Sequence, residues 1–350
     1  MLRVQRVDEQ LAALQKPVLE PMDWLRLGSD DCLVVCAGFE DRAVAFLRSA
    51  AARKSECARV LVVTYLPSVI ENRVAEVENL CGAARFPMEA VDYDRENPSG
   101  FGDVVCDKLG SVPGRVYIDV SGMSRLLIVQ ILVSLAKRPS GLSRCSVLYA
   151  EASEYPPAED QVTDEISKSD LDPLYLIMLL SSGVFEVTVL PELASASLDG
   201  QQIRLVAFPS FNTDQFTALR TELQPSRYSI IHGVPPAPEN KWRTQAIAKL
   251  NHVENLQGAE NFHVSTLDYR EILNCLLEIY RKHSSFERIL IAPTGSKMQA
   301  VAVGIFRSFV KDVQIVYPTP RTFTSPERYT QGVKCLYHLP LDSFSLPGAR

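Results

Sequence analysis

The feature that most constrains this chain is one motif that occurs twice. The first copy is Arg115-Val-Tyr-Ile-Asp-Val-Ser-Gly-Met-Ser-Arg125, and the second is Arg288-Ile-Leu-Ile-Ala-Pro-Thr-Gly-Ser-Lys297. Each copy has a basic residue, a short apolar run, a Ser/Thr-Gly step, and a serine followed by Arg or Lys. Each then continues into a long apolar segment. This pattern predicts a buried strand, a tight polar turn and a helix in both places.

The chemistry of both turns favours an anion. Glycine allows a close approach of the backbone, and a serine caps the helix that follows. The free N–H groups and the dipole at a helix start attract negative charge, to which Arg125 and Lys297 each add a full positive charge. Two such turns predict phosphate binding, although capped turns with solvated basic residues would give the same pattern.

Composition limits the classes of function that remain. The 350 residues are enough for about two domains. A net charge of −6 argues against general binding of long nucleic acids. The sequence shows no signal peptide and no apolar run long enough for a membrane span, so we expect a soluble cytoplasmic protein.

Metal and common cofactor sites are not expected. The eight cysteines form no C-x-x-C pair, and the five histidines show no clustering typical of a metal site. The G-x-G-x-x-G and Walker A patterns are both missing, which disfavours a standard dinucleotide or ATP site. We therefore predict no metal and no resident cofactor.

The order of elements indicates an internal duplication. Corresponding positions are 204 − 33 = 171, 268 − 92 = 176 and 295 − 122 = 173 residues apart. In this alignment Thr266–Tyr269 corresponds to a predicted strand at Ala90–Tyr93, and Gly332–Pro340 corresponds to Gly183–Pro191. We predict an N-terminal extension at 1–30 and two Rossmann-like repeats at 31–196 and 202–345.

Alternating strands and helices predict an α/β fold in which each repeat has a doubly wound parallel sheet. Ligands bind such sheets at the carboxyl ends of the strands. The turn after the first strand of the first repeat, Gly38-Phe-Glu-Asp-Arg42, should therefore lie beside the motif of that repeat. In the second repeat Asn212 lies in the corresponding turn, so the two halves are chemically unequal.

Glu40 and Asp41 are the candidate catalytic residues of that turn. Their carboxylates could accept a hydrogen bond from a base or a ribose, or act as a general base. Acidic residues are also favoured at a helix start for purely structural reasons, so both interpretations stay open.

Pro293-Thr-Gly-Ser-Lys-Met298 resembles the Thr-Gly-Gly-Thr-Lys-x-Met signature of the CARF (CRISPR-associated Rossmann fold) family of cyclic-oligonucleotide sensors. Asp119-Val-Ser-Gly-Met-Ser-Arg125 is a looser version of it. Both copies lack the double glycine, and position 125 is Arg rather than Lys. The likeness extends to the order of strands and helices over most of both repeats.

The resemblance implies a ligand, a site and a role. Two CARF domains pair about a two-fold axis and bind one cyclic oligoadenylate, so here one chain would supply both halves of an intrachain pseudo-dimer. Implied ligand contacts are Gly38, Phe39, Arg42, Ser121, Gly122, Ser124 and Arg125 in the first repeat, and Asn212, Thr294, Gly295, Ser296 and Lys297 in the second.

The expected function is binding of a nucleotide second messenger in antiviral defence, with a possible separate effector protein as partner. Two alternatives stay open. One is an enzyme that cleaves a cyclic oligonucleotide, as a ring nuclease does, with Glu40 or Asp41 as the acid–base group. The other is a scaffold whose pockets are relics.

Overall fold

The computed structural model describes residues 7–67, 72–139, 141–167, 181–195, 201–323 and 329–344. It divides into two compact units, which we name after their main sheets. The seven-stranded unit consists of Ala13–Tyr155 with Tyr329–Arg350, and the five-stranded unit consists of Met1–Ala12 with Pro156–Arg328.

The seven-stranded unit has a mixed sheet with helices alternating between its strands. Its strands are β1 (Glu20–Met22), β2 (Cys32–Cys36), β3 (Arg59–Leu66), β4 (Met88–Asp94), β5 (Val116–Asp119), β6 (Cys145–Glu151) and β14 (Cys335–Pro340). Its helices are α2 (Ala45–Ala52), α3 (Val74–Ala84), α4 (Phe101–Leu109) and α5 (Arg125–Ala136). The sheet order is β1-β14-β6-β5-β2-β3-β4, in which β1 and β14 are antiparallel to their neighbours and the other five strands are parallel.

The five-stranded unit has a fully parallel sheet and a separate antiparallel pair. Its strands are β7 (Ser181–Thr188), β8 (Gln202–Ala207), β9 (Arg227–Val234), β10 (Glu260–Ser265), β11 (Glu287–Ala292), β12 (Gln314–Ile315) and β13 (Tyr317–Phe323). Its helices are α1 (Val7–Ala13, which ends at the unit boundary), α6 (Glu159–Ser167), α7 (Thr213–Leu223), α8 (Trp242–Leu250), α9 (Tyr269–His283) and α10 (Lys297–Phe309). The parallel order is β10-β9-β8-β11-β12, and β13 pairs with β7.

Both parallel sheets have the same strand order. Counted along each repeat, the order is third, second, first, fourth, fifth, which is the Rossmann order 3-2-1-4-5-6 without its sixth strand. The prediction of an α/β fold with two Rossmann-like parallel sheets is therefore confirmed. The order reverses between β2 and β5 in one unit and between β8 and β11 in the other.

The buried central elements explain why these segments read as apolar runs. Every residue of β2 is buried, and ten of the twelve residues of α5 are buried. Strands covered on both faces need apolar side chains throughout, so they lack the alternation of a half-exposed strand. None of the described helices is long and apolar enough to cross a membrane.

The last strand of each predicted repeat, which we call its closing strand, is β7 in the first and β14 in the second. Each closing strand pairs with a strand of the other repeat rather than with its own. β7 falls within predicted repeat 31–196, yet it pairs with β13 in the five-stranded unit. β14 falls within predicted repeat 202–345, yet it pairs with β6 in the seven-stranded unit. Hydrophobic patterning predicts a strand but not its neighbour, so this pairing was not visible in the sequence.

Two local predictions need correction. Thr266–Tyr269 is not the counterpart of strand β4, because β10 ends at Ser265. Asp268 instead caps α9, accepting a hydrogen bond from the Arg270 N–H at 3.0 Å. Strand β1, which lies within the predicted N-terminal extension, was not predicted. It has only three residues, one of them proline, and lies at a sheet edge where proline is tolerated.

Candidate functional site

Each unit has one candidate site, at the point where its strand order reverses. In the seven-stranded unit the loops after β2 and β5 meet there, and in the five-stranded unit the loops after β8 and β11 meet. These are the positions at which open parallel sheets bind ligands. Both copies of the repeated motif lie at these positions.

Two glycines bring the loops of the seven-stranded unit together. A Cβ atom on Gly122 would lie 2.3 Å from the carbonyl oxygen of Cys36, the last residue of β2. A Cβ atom on Gly38 would lie 3.1 Å from the carbonyl oxygen of Gly122. The backbones approach so closely that only glycine fits at position 122 without a shift.

The hydroxyl groups of this turn hold the backbone in place. Ser121 is fully buried, and its Oγ accepts a hydrogen bond from the Ala150 N–H at 2.8 Å. Ser124 caps α5 by accepting from the Leu127 N–H at 3.2 Å. The Tyr65 hydroxyl accepts from the Ser124 N–H at 2.6 Å and donates to the Gly122 carbonyl at 3.2 Å. Burial raises the pKa of Tyr65 well above its ordinary value, so this hydroxyl keeps its proton.

The turn after β2 in the seven-stranded unit carries an ion pair between the buried Arg42 and the half-buried Glu40. The Nε and Nη2 atoms of Arg42 lie 2.9 and 2.8 Å from Oε2 of Glu40. Arg42 also donates to the Tyr149 hydroxyl at 3.2 Å. Burial, the largest single effect, would lower the pKa of Arg42, but the interactions with Glu40, Tyr149 and Tyr155 together raise that pKa above its ordinary value. Glu40 accepts a further hydrogen bond from the Thr330 hydroxyl.

Asp41 and Phe39 also contact other parts of the unit. Asp41 forms an ion pair with Arg73 and accepts a hydrogen bond from the Gly332 N–H at 3.1 Å. The ring of Phe39 packs edge-on against that of Tyr329, with centroids 4.7 Å apart. Both candidate catalytic carboxylates therefore have structural partners, and catalysis by either of them stays a prediction.

In the five-stranded unit a different set of bonds builds a similar turn. Thr294 is buried and donates to the carbonyl oxygen of Phe208, directly after β8, at 2.7 Å. A Cβ atom on Gly295 would lie 3.0 Å from the Cβ of Phe208 and 1.9 Å from Oε1 of Gln299. As in the other unit, a glycine lies against the end of the central strand.

A capping box starts the helix of this turn. Ser296 accepts a hydrogen bond from the Gln299 N–H at 3.1 Å, and Oε1 of Gln299 accepts from the Ser296 N–H at 2.7 Å. The Ser296 hydroxyl also donates to the carbonyl oxygen of Thr266 at 2.6 Å. Gln299 therefore takes the place that Tyr65 has in the seven-stranded unit.

The two cations of the motif occupy the same helical position. Arg125 is the first residue of α5 and Lys297 is the first residue of α10, and both side chains are half-buried. The first N–H groups of a helix have no acceptor within the helix. Each unit therefore places a positive side chain beside a helix start, as the sequence predicted.

The loop that follows β8 differs from its counterpart. Asn212 is buried at the start of α7, and its N–H donates to the Ser210 hydroxyl at 3.3 Å. The neighbouring Phe211 packs with Trp242, and the guanidinium of Arg243 lies 4.7 Å from the Phe211 ring centroid. With the motif spacing of 173, Thr213 and Gln215 take the positions of Glu40 and Arg42, so this turn has no equivalent ion pair and the two sites are chemically unequal.

The structure thus brings predicted residues together within each unit. Gly38, Gly122, Ser121, Ser124 and Arg125 surround the β2–β5 reversal, and Thr294, Gly295, Ser296 and Lys297 surround the β8–β11 reversal. The sequence did not assign the Tyr65 hydroxyl or the Gln299 carboxamide to these turns. A serine followed three residues later by Gln is a capping-box pattern, so Gln299 had a recognisable signal.

Comparison with known proteins supports the fold. The structure matches a solved structure described as a Type III CRISPR defence DNA nuclease activated by cyclic oligoadenylate, with a TM-score of 0.50 and 10% sequence identity. The match covers 82% of this chain and 65% of the nuclease chain, so this chain spans less than two thirds of that protein. At this identity the likeness shows a shared Rossmann-like architecture.

Two other structural matches have low TM-scores. The cytoplasmic domain of a prokaryotic cation chloride cotransporter gives 0.24, at 10% identity over 84% of this chain and 95% of that one. A metagenomic short-chain oxidoreductase in complex with NADP gives 0.23, at 11% identity over 84% and 98%. No family model matches the chain, and no curated protein matches it.

Proposed function

We propose that this protein binds a nucleotide second messenger, a cyclic oligonucleotide, through phosphate contacts at the turns that begin with Ser121 and Thr294. The observation that carries the proposal is the position of these turns. Both units place a glycine, a capping serine and a helix-initial cation at the reversal point of the same strand order.

The physical chemistry of these turns suits a phosphate. Ser124 and Ser296 each accept a hydrogen bond from one N–H group in the first turn of the helix that follows, so each turn lies at the N-terminal end of a helix. The helix dipole adds partial positive charge there, and Arg125 and Lys297 add full charges. A phosphodiester at either turn would be attracted by the helix dipole and by the positive charge of the neighbouring side chain.

The ligand class is supported by two likenesses. The motif resembles the CARF signature, and the matching solved structure is described as activated by cyclic oligoadenylate. A cyclic oligoadenylate is therefore the first candidate, and an antiviral-defence role with a separate effector is the corresponding biological proposal.

Binding is favoured over cleavage by the contacts of the two acidic residues. Glu40 forms an ion pair with Arg42 and accepts a hydrogen bond from Thr330. Asp41 forms an ion pair with Arg73 and accepts a hydrogen bond from the Gly332 N–H. A general base needs to reach a proton of the substrate, whereas these carboxylates already accept several hydrogen bonds.

A thermal-shift screen with cyclic di-, tri-, tetra- and hexanucleotides tests the proposal. A ligand present at 100 times its dissociation constant should add about 2.7 kcal/mol to the free energy of unfolding. Each stabilising compound is then incubated with the protein, and its products are separated by chromatography. Stabilisation by an intact ligand is expected, and no stabilisation by any member of the panel would refute nucleotide binding.

A further inference from the structure

In both units the closing strand comes from the other repeat, and the two pairings involve equivalent residues. Strand registers identify equivalent residues in the fifth strands of the two repeats. Ile118 faces Val147 across β5 and β6, and Ile291 faces Ile315 across β11 and β12. Val147 therefore corresponds to Ile315, with an offset of 315 − 147 = 168.

With the same offset Tyr149 corresponds to Tyr317, because 317 − 149 = 168. Tyr149 faces Tyr337 of β14, and Tyr317 faces Thr188 of β7. Tyr337 and Thr188 also correspond to each other. They are 337 − 188 = 149 residues apart, the same separation as between the equivalent glycines Gly332 and Gly183. The two antiparallel pairs are therefore equivalent: β14 pairs with the fifth strand β6, and β7 pairs with β13, which follows the fifth strand β12 after one residue.

Equivalent hydrogen bonds hold both closing segments. The N–H of Gly332 donates to Oδ2 of Asp41 at 3.1 Å, and the N–H of Gly183 donates to Oδ2 of Asp214 at 2.9 Å. Both glycines have positive φ angles, +63° and +66°. The aspartates are equivalent as well, because 214 − 41 = 173 is the spacing of the repeated motif.

We propose that the two repeats are obligate partners that exchange their closing strands. The edge of β6 is the docking surface for the closing strand of the second repeat, and β13 is the docking surface for that of the first. The partner of each repeat is therefore the other repeat, and neither reaches its folded state alone.

Burial shows what each repeat would lose without its partner. The residues of β6 from Cys145 to Ala150 are all buried, and six of the strand's residues pair with β14. Without β14 this central, apolar strand would become an open sheet edge, which promotes aggregation. Leu339 of β14 is fully buried in the native unit and would become exposed.

Cysteine pairs in the full chain test the exchange. The background carries Cys335→Ser, to remove a cysteine from β14, and a protease site inserted between residues 196 and 200. Two variants place cysteines at exchanged neighbours: Tyr149→Cys with Tyr337→Cys, and Thr188→Cys with Tyr317→Cys. Two control variants place the cysteines at positions that would be neighbours if each repeat kept its own closing strand: Tyr149→Cys with Thr188→Cys, and Tyr317→Cys with Tyr337→Cys.

Each variant is oxidised in the native state, cleaved, and run on a denaturing gel without reductant. The exchange predicts that both exchanged pairs keep the two halves in one band, and that the control pairs give two bands with their thiols unreacted. Failure of either exchanged pair to link the halves, or oxidation of the control pairs, would overturn the proposal.

Separate expression provides a second readout. Fragments 1–197 and 201–350 should each lack a cooperative unfolding transition, and should form a folded one-to-one complex when expressed together. A fragment that is folded and monomeric alone would overturn the proposal independently of any ligand.

Discussion

Asp41 accepts a hydrogen bond from the backbone N–H of Gly332, 291 positions further along the chain, at 3.1 Å. Asp214 makes the equivalent bond to Gly183 at 2.9 Å. Each aspartate lies shortly after the first strand of its repeat, next to a candidate phosphate-binding turn. Within each unit this bond connects the loop of the candidate site to the closing segment of the other repeat, in β7 at Gly183 and just before β14 at Gly332.

These bonds should contribute to stability. Asp41→Ala and Asp214→Ala should each lower the free energy of unfolding by about 1 kcal/mol. This is less than is usual for a hydrogen bond to a charged group, because the Asp41 side chain is partly exposed. Urea denaturation followed by circular dichroism measures the loss. Asp214→Asn keeps an acceptor oxygen and should lose less, and equal losses for Asp214→Asn and Asp214→Ala would argue against the bond.

Gly122 and Gly82 form a matched test of the close approach at the site. Gly122→Ala should destabilise the protein by about 1–3 kcal/mol, because the added Cβ would lie 2.3 Å from the backbone oxygen of Cys36. Gly82 lies within α3 and has open space around it, so Gly82→Ala should stabilise by up to about 1 kcal/mol. Thermal unfolding of both variants gives the comparison, and a neutral Gly122→Ala would show that the loops are not in contact.

Stability should fall in mildly acidic solution. Burial lowers the pKa of His232 and of His338 from the usual value of 6.5. Between the lowered and the usual pKa the unfolded chain binds more protons than the folded one, so the free energy of unfolding decreases as the pH falls through about 6.5.

Urea midpoints at about pH 8 and about pH 5.5 measure this effect. The double variant His232→Gln, His338→Gln should show a smaller difference between the two midpoints than the unmodified protein. An unchanged difference would mean that other groups control stability in this range.

The sequence predicted the parts of the fold that depend on local pattern. Apolar runs gave the central strands such as β2, and the Ser/Thr-Gly-(x)-Ser steps gave the starts of α5 and α10. The exchange of β7 and β14 was not predictable in this way, because equivalent strands have equivalent patterns whichever repeat they join.

The candidate site was predicted in its loops but not in its contacts. Arg125 and Lys297 lie at helix starts as expected, since N-cap residues and turn glycines carry a local signal. The roles of Glu40 and Asp41 depend on Thr330 and Gly332, which are nearly 300 residues away in sequence. No local pattern could reveal those partners.

The most direct test of the central claim is a calorimetric titration of the best-stabilising cyclic oligonucleotide into the protein and four variants. Arg125→Ala and Lys297→Ala each remove a helix-initial cation. Lys137→Ala, at the other end of α5, and Lys249→Ala, exposed at the end of α8, remove the same charge elsewhere. The titration also gives the number of ligands bound per chain, for which the CARF resemblance predicts one.

Loss of one charge-assisted phosphate contact should weaken binding by about tenfold or more. We predict this loss for Arg125→Ala and Lys297→Ala, and affinity within about twofold of the unmodified protein for the two controls. Equal affinity in all five proteins would contradict phosphate binding at these turns.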